Sequence, residues 1–467
     1  MQHSPPPRWR LAAGTLLSSI LVACSGGGGS AASGGERDGG DGGKRTFEST
    51  ILEAPCPIRH GGFGFSTVPL DFDGDGILDI GIGAPGESRV YVALGVGNNE
   101  YGPMLSFDES GPAACAFPGG VSIRFGEALA KADLDGDGDD ELIVGAPDMS
   151  VNGILEAGAV FIIGLPTQGG SAPLQINADV PARGNFGAEL LAADFDQDGQ
   201  VDLAIGAPQA LDGGMTAGSV TVVYSAGTVG EYQVHFPNPA PAENGRFGSH
   251  FAVDDGNADG FPELFICAVG NTDSNGIELS GQAYGYWGPI DPEGTFVLDD
   301  SLSLPADFPR FGMHITAADG VVVVGAPRKD VGSLADSGRS YLWRAPSYAS
   351  VRRFQHPTAL PFDLFGYRVQ LADLIGDETI DLCVVSLPAH DDANPNRPAV
   401  YIYDGAIDDP NPYRLRALTD SGSHFAVGFS TADLVNGGRD ELILGDSRYD
   451  RDGLGDSDDS GRVVIYY

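Results

Sequence analysis

The sequence predicts an all-β fold, a seven-bladed β-propeller built from repeats of about sixty residues. Three observations carry that expectation. A Phe-Gly pair returns at Phe63-Gly64, Phe125-Gly126, Phe186-Gly187, Phe247-Gly248, Phe311-Gly312 and Phe365-Gly366, with a degenerate seventh copy at Phe425-Ala426. Some twenty residues after the pair comes a corner, written Gly83-Ala84-Pro85, Gly145-Ala146-Pro147, Gly206-Ala207-Pro208 and Gly325-Ala326-Pro327. In the other repeats the corner reads Ala268-Val269-Gly270, Ser386-Leu387-Pro388 and Gly445-Asp446-Ser447. Finally, no helical apolar periodicity continues past the N-terminus, and 69 glycines and 32 prolines in 467 residues suit short strands joined by turns.

In chain order, residues 1–23 come first. Arg8 and Arg10 precede an apolar run from Leu11 to Ala23, too short to span a bilayer but suited to the core of a signal peptide. The run ends in Leu21-Val22-Ala23-Cys24, which resembles the lipobox of bacterial lipoproteins. That resemblance implies cleavage before Cys24, acylation of Cys24, and a stable anchor through several acyl chains. Ser25 in place of Asp after the cysteine points, by the same resemblance, to the outer membrane of the cell envelope. Residues 24–45 are mostly Gly and Ser, cannot bury a core, and read as a flexible tether.

Residues 46–467 form the propeller. Each repeat carries a short apolar strand such as Leu142-Ile143-Val144, then an alternating strand such as Ala159-Val160-Phe161-Ile162. Less regular stretches such as Tyr232-Gln233-Val234-His235-Phe236 bring the count to four strands. A four-stranded sheet apolar on both faces must stack on copies of itself, and a closed ring of seven leaves no end face bare. An open solenoid is the alternative, but no capping repeat is evident. The last repeat ends at Tyr467 one strand short, so Phe47 to Leu52 is expected to complete it and close the ring.

Acidic loops separate the first two strands of each early repeat. Asp71, Asp73, Asp75 and Asp79 occupy positions one, three, five and nine of a loop with Gly76 at position six. The spacing returns as Asp133, Asp135, Asp137 and Glu141, as Asp194, Asp196, Asp198 and Asp202, and as Asp255, Asn257, Asp259 and Glu263. Oxygens that converge in this way repel one another unless a hard cation lies between them, and Ca2+ takes about six to eight. Four matched copies favour four structural Ca2+ sites over ordinary acidic turns. Repeat five has only Ala318-Asp319-Gly320-Val321 and no room for a loop. Repeat six places Ile375 at position three and Glu378 at position six, and repeat seven has Val435 and Gly437 at positions three and five.

The Phe-Gly mark, the acidic loop and the Gly-Ala-Pro corner together resemble the FG-GAP repeats of integrin alpha-chain propellers. The likeness covers nearly all of 46–467. It implies that each loop also supplies the position-seven carbonyl, here from Ile77, Asp139, Gln200 and Phe261. It further implies an adhesion or assembly module with a protein or glycan ligand at the cell surface.

Charge narrows the function classes. With 65 acidic against 26 basic residues the formal charge is −39, which argues against nucleic acid and anionic membrane surfaces as partners, leaving the lipid anchor as the membrane link. Cys56 and Cys115 precede neighbouring Phe-Gly marks and could pair as a disulfide in an oxidising compartment or stay free. Cys267 and Cys383 lie in apolar strands and read as buried free thiols. No H-E-x-x-H, G-x-S-x-G or phosphate loop occurs, so catalysis is not expected. His250, His314 and His424 sit close to repeat marks and read as scaffold, and Arg328-Lys329 as a solvated loop. A polysaccharide lyase or hydrolase would need a funnel with paired carboxylates or a basic cluster, and the sequence shows no such cluster. A structural envelope scaffold is the other alternative.

Overall fold

Seven antiparallel sheets follow one another along the chain in a computed structural model and close into a β-propeller. Described are Glu36–Arg37 and residues 49–467, apart from 56–57, 59, 114–121, 165–172, 179–182, 225–232, 272–279, 291–294, 299–309, 350, 388–397, 407–411, 417–424 and 449–459. The signal segment, Cys24, most of the tether, the Cys56–Cys115 pairing and His424 lie outside the described residues.

The second strand is the most uniform part of each blade. It has six residues, all buried, in Asp79–Ala84, Glu141–Ala146, Asp202–Ala207, Glu263–Ala268, Val321–Ala326, Asp381–Ser386 and Glu441–Asp446. A strand buried on both faces reads as a continuous apolar run, which is why these segments show no polar alternation. The first strands, such as Leu129–Ala132, Glu189–Ala193 and Arg368–Ala372, pack on one another from blade to blade and so line the axis. Seven apolar clusters fill the seven seams, each drawn from two adjacent blades. Between blades two and three, for example, Ile143, Val160 and Ile162 meet Phe186, Leu203 and Ile205.

The two signature motifs touch across these seams. Gly187 of the Phe-Gly mark holds φ +88°, and a Cβ there would lie 2.7 Å from the Ala159 carbonyl of the preceding blade. A side chain on Gly206, the corner glycine, would collide with the Gly248 carbonyl of the next blade. At these two seams the close approach therefore calls for glycine, although Ala426 takes the mark's second place in blade seven at φ +58°. The Phe of the mark packs edge-on against an aromatic of its own third strand in Phe63–Tyr91, Phe125–Phe161 and Phe311–Tyr341, with ring centroids 5.4 to 5.6 Å apart, and tilted in Phe365–Tyr401 at 5.9 Å.

The strand register corrects two of the corners. Phe247 pairs with Ala268 as Phe425 pairs with Asp446, so the fourth corner is Cys267-Ala268-Val269. The Gly366 amide donates to Val385 as the Gly187 amide donates to Gly206, so the sixth is Val385-Ser386-Leu387. In the sixth corner Pro388 was the misleading landmark. Cys267 and Cys383 are buried free thiols, as expected.

Closure of the ring follows the sequence expectation within two residues. Ser49–Glu53 is the outermost strand of blade seven and runs antiparallel to Arg462–Tyr466, with Ser49 opposite Tyr466 and Glu53 opposite Arg462. A bridge from Phe63 to Gly461 seals blade seven to blade one in the way that Phe186 and Gly158 join three to two. Within the stretch expected as a tether, Glu36 and Arg37 pair with Arg414 and Tyr413 on the outer edge of blade six. The ring thus has two ends along its axis. Loops between first and second strands crowd one end; Phe-Gly marks and corners rim the other.

Candidate metal centres

The acidic loops share one backbone scaffold. The position-six amide donates to the position-one carboxylate in Gly76 to Asp71, Gly138 to Asp133, Gly199 to Asp194 and Gly260 to Asp255, at 2.9 to 3.0 Å. The position-nine acid starts the buried second strand and reaches back to accept the position-two amide: Asp79 from Phe72, Glu141 from Leu134, Asp202 from Phe195 and Glu263 from Gly256, at 2.7 to 2.9 Å. These bonds aim two carboxylates inward from opposite arms of the loop. Position eight links neighbours: the Asp140 carboxylate accepts from the Asp71 amide at 2.9 Å and from Lys131 Nζ at 2.8 Å.

Three loops bring carboxylates together. Oxygens of Asp71, Asp73 and Asp79 lie within 4.8 Å of one another, as do those of Asp133, Asp135 and Glu141, and of Asp194, Asp196 and Asp202. The buried Asp71 Oδ1 and Asp194 Oδ1 have no hydrogen-bond partner. An orphaned carboxylate oxygen inside an acidic triad is costly, and a divalent cation would satisfy it, so these donor sets fit such an ion. Burial, opposed in part by backbone amides and reinforced by neighbouring carboxylates, pushes Asp79 and Glu141 up to about 7. Position five stands outside these triads. Asp75, Asp137, Asp198 and Asp259 each accept the amide of position seven, from Ile77, Asp139, Gln200 and Phe261, at 2.8 to 3.0 Å.

The fourth loop differs from the expectation of four equal sites. Asn257 turns its Nδ2 to Glu263 Oε1 at 2.6 Å, so an N–H donor stands where the other loops bring an acid, and no third carboxylate joins Asp255 and Glu263. Burial raises Glu263 to about 7 as well. Blade six keeps the scaffold, with Asp373 accepting the Glu378 amide and Asp381 the Leu374 amide, but the apolar Ile375 takes position three. In blade seven a protein cation is close by: Arg439 Nε lies 3.9 Å from Glu441 Oε1. Blade five turns in two residues, Asp319 at φ +49° and Gly320 at φ +72°, and has no loop, as expected.

Sequence reasoning missed the opposite end of the axis. There a cavity of about 660 Å³ opens between the starts of the first strands, lined by Arg124, Arg246, Arg310 and Arg368, by His250 and His314, and by only two acids, Glu127 and Glu189. The basic cluster absent from the sequence as a motif is thus assembled by the ring from separate blades. The signal was positional: Arg124, Arg246 and Arg310 each stand immediately before a Phe-Gly pair, and His250, His314 and Arg368 each three residues after the Phe. The solvated-loop expectation fails for Lys329, which is 4% exposed; Arg328 beside it is exposed.

Comparison with known proteins agrees with this architecture. The FG-GAP repeat profile matches residues 63–101, 125–163 and 186–223. Human phosphatidylinositol-glycan-specific phospholipase D is 36% identical over 35% of this chain and 20% of its own length. Integrin alpha-PS2 of Drosophila melanogaster is 33% identical over 31% of this chain and 10% of its own, and chicken integrin alpha-V 28% identical over 44% and 20%. The matches thus span about a fifth or less of these relatives. Among solved structures, virginiamycin B lyase from Staphylococcus aureus aligns with 90% of this chain and 99% of its own at a TM-score of 0.47 and 9% identity, too low to carry an argument. No helix among the described residues is long and apolar enough to cross a membrane. With its marks, corners and loops in one register, the chain is an FG-GAP repeat protein that resembles the integrin alpha-chain β-propeller.

Proposed function

We propose that this protein is a calcium-stabilised binding module, held at the cell envelope through Cys24 and used for adhesion or assembly with a protein or glycan partner. The observation that carries the reading is the set of three inward-facing acidic triads, two with an orphaned carboxylate oxygen, with the loops of blades one and two bonded to each other. Ca2+ suits them because all the donors are hard oxygens. Asp71, Asp73 and Asp79, Asp133, Asp135 and Glu141, and Asp194, Asp196 and Asp202 would hold it, and its chemistry would be charge neutralisation. At ten times its dissociation constant a bound ion adds about 1.4 kcal/mol, so three sites would add about 4 kcal/mol, a large share of a domain's margin.

Relatives include both a phospholipase and integrins, so kinship decides neither for nor against catalysis. The histidines and arginines of the channel mouth favour keeping the polysaccharide lyase or hydrolase as the second reading. The full-length protein applied to glycan and envelope-protein arrays, with calcium and with a chelator, separates the two. Calcium-dependent retention of an intact ligand is expected. Loss of an arrayed glycan with product release would replace the binding module by an enzyme.

A further inference from the structure

We propose that the channel mouth, at the end of the axis away from the acidic loops, is a binding site for a small oxyanion-bearing ligand of about disaccharide size. The inference deepens the binding-module reading and rests on it.

Sign is the first argument. Acids outnumber bases 65 to 26 over the chain, yet the cavity collects four arginines against two glutamates and no aspartate. Of the acids present, Glu127 pairs with Arg124 through one carboxylate oxygen while its other is buried without a partner, and Glu189 Oε2 lies 3.6 Å from His250 Nδ1. Among the described residues no acid forms an ion pair with Arg246, Arg310 or Arg368; the Arg368 guanidinium lies 6.0 Å from the Tyr367 ring centroid. Burial, together with Arg328 and Arg246 nearby, lowers Arg310 from its ordinary range, and Asp336 only partly compensates. Guanidinium groups gathered against their mutual repulsion are relieved by an anion, and their fork geometry suits carboxylate or phosphate.

Construction is the second argument. His250 and His314 lie with ring centroids 5.4 Å apart, and buried His314 Nδ1 and Arg368 Nε have no hydrogen-bond partner. Arg368 and His250, with burial as the larger cause, hold His314 well below its usual range. The pair of histidines, with Glu189 beside His250, is not a cation site, because Arg368 acts on His314 and favours an anion. Opposite these long side chains, the equivalent positions in blades seven, one and two are Gly428, Ser66 and Ala128. One half of the ring therefore reaches and the other leaves room. Arg124, Arg246 and Arg310 also hold left-handed backbone, at φ +56°, +55° and +46°. The same turn precedes the marks at Gly62, Asn185 and Leu364, at φ +73°, +58° and +48°, so it belongs to the repeat and sets the three arginines at equivalent places around the axis. The volume lies within the range of small-molecule sites, about 300–1,000 Å³.

Calorimetry on the full-length protein tests this, with digalacturonate and pyrophosphate as probes and lactose as the neutral control. Both anions, or one of them, should bind and lactose should not; which one binds identifies a carboxylate or a phosphate source. Arg310→Gln and Arg246→Gln should each weaken binding at least tenfold, while Arg352→Gln, on the outer strand of blade five, should not. Melting curves show whether each variant folds, and Arg246→Lys, which keeps the charge but not the fork, should fall between. Absence of heat with both anions, or equal affinity in the Arg310→Gln and Arg352→Gln proteins, overturns the inference. An array ligand retained without either anion binding also overturns it, and leaves the binding module standing.

Discussion

At Gly187 the signature of the repeat comes down to one missing Cβ. The residue combines φ +88° with a 2.7 Å approach to the Ala159 carbonyl, so Gly187→Ala should cost about 2–4 kcal/mol, measured as a shift in urea midpoint. A cost under about 0.5 kcal/mol would remove the steric account of the motif. Glu141 makes a different claim. Its folded pKa of about 7 exceeds the unfolded value, so in chelator its neutral form stabilises the protein at low pH, and that contribution is lost as pH rises through about 7. Bound calcium would hold the ionised form instead. The gap in melting temperature between calcium and chelator should therefore widen from pH 5.5 to pH 7.5; a gap that narrows contradicts the assignment. Residues that speak through spacing, such as Asp71 and Asp133, were legible in the sequence. Arg246 and Arg310 were not, because nothing in a linear sequence tells which residues before a Phe-Gly pair will meet around an axis.

Among elements, the outermost strand of blade seven and the fourth loop are the informative ones. Ser49–Glu53 pairs through all five residues with the last strand, and Leu52 joins the core between blades seven and one. Removing residues 1–53 should lower the melting temperature sharply and broaden the transition, followed by circular dichroism. An unchanged cooperative melt would mean that six complete blades and a three-stranded seventh hold the ring. The fourth loop lacks one carboxylate because Asn257 donates where the others accept. Asn257→Asp should add calcium affinity there, seen as a rise in stoichiometry or a tighter phase in a calcium titration. Spacing showed that this loop existed, but not that the carboxamide turns its nitrogen inward. Likewise the prolines of Pro208 and Pro388 suggested one register for the sixth corner, and the ladder hydrogen bonds set another.

At the scale of the molecule, stability is shared among seven similar seams. Ile205 is fully buried between blades two and three, and Ile205→Ala should cost about 2–5 kcal/mol in denaturant unfolding. Because the three acidic triads lie in blades one to three, chelation should weaken that sector first; amide hydrogen exchange would show it as earlier loss of protection there than in blade five. Uniform loss would point to a cation effect spread over the whole ring. The ring itself was legible because a repeat of one size, with both sheet faces apolar, admits few closed arrangements.

The closing strand also sets an orientation. Ser49 enters beside Tyr466, at the end of the blade that carries the acidic loops, and Tyr467 leaves at the same end. The closing strand therefore begins, and the last strand ends, at the end of the ring opposite the channel mouth. Neither of these two chain ends of the ring stands in the way of a ligand approaching that mouth.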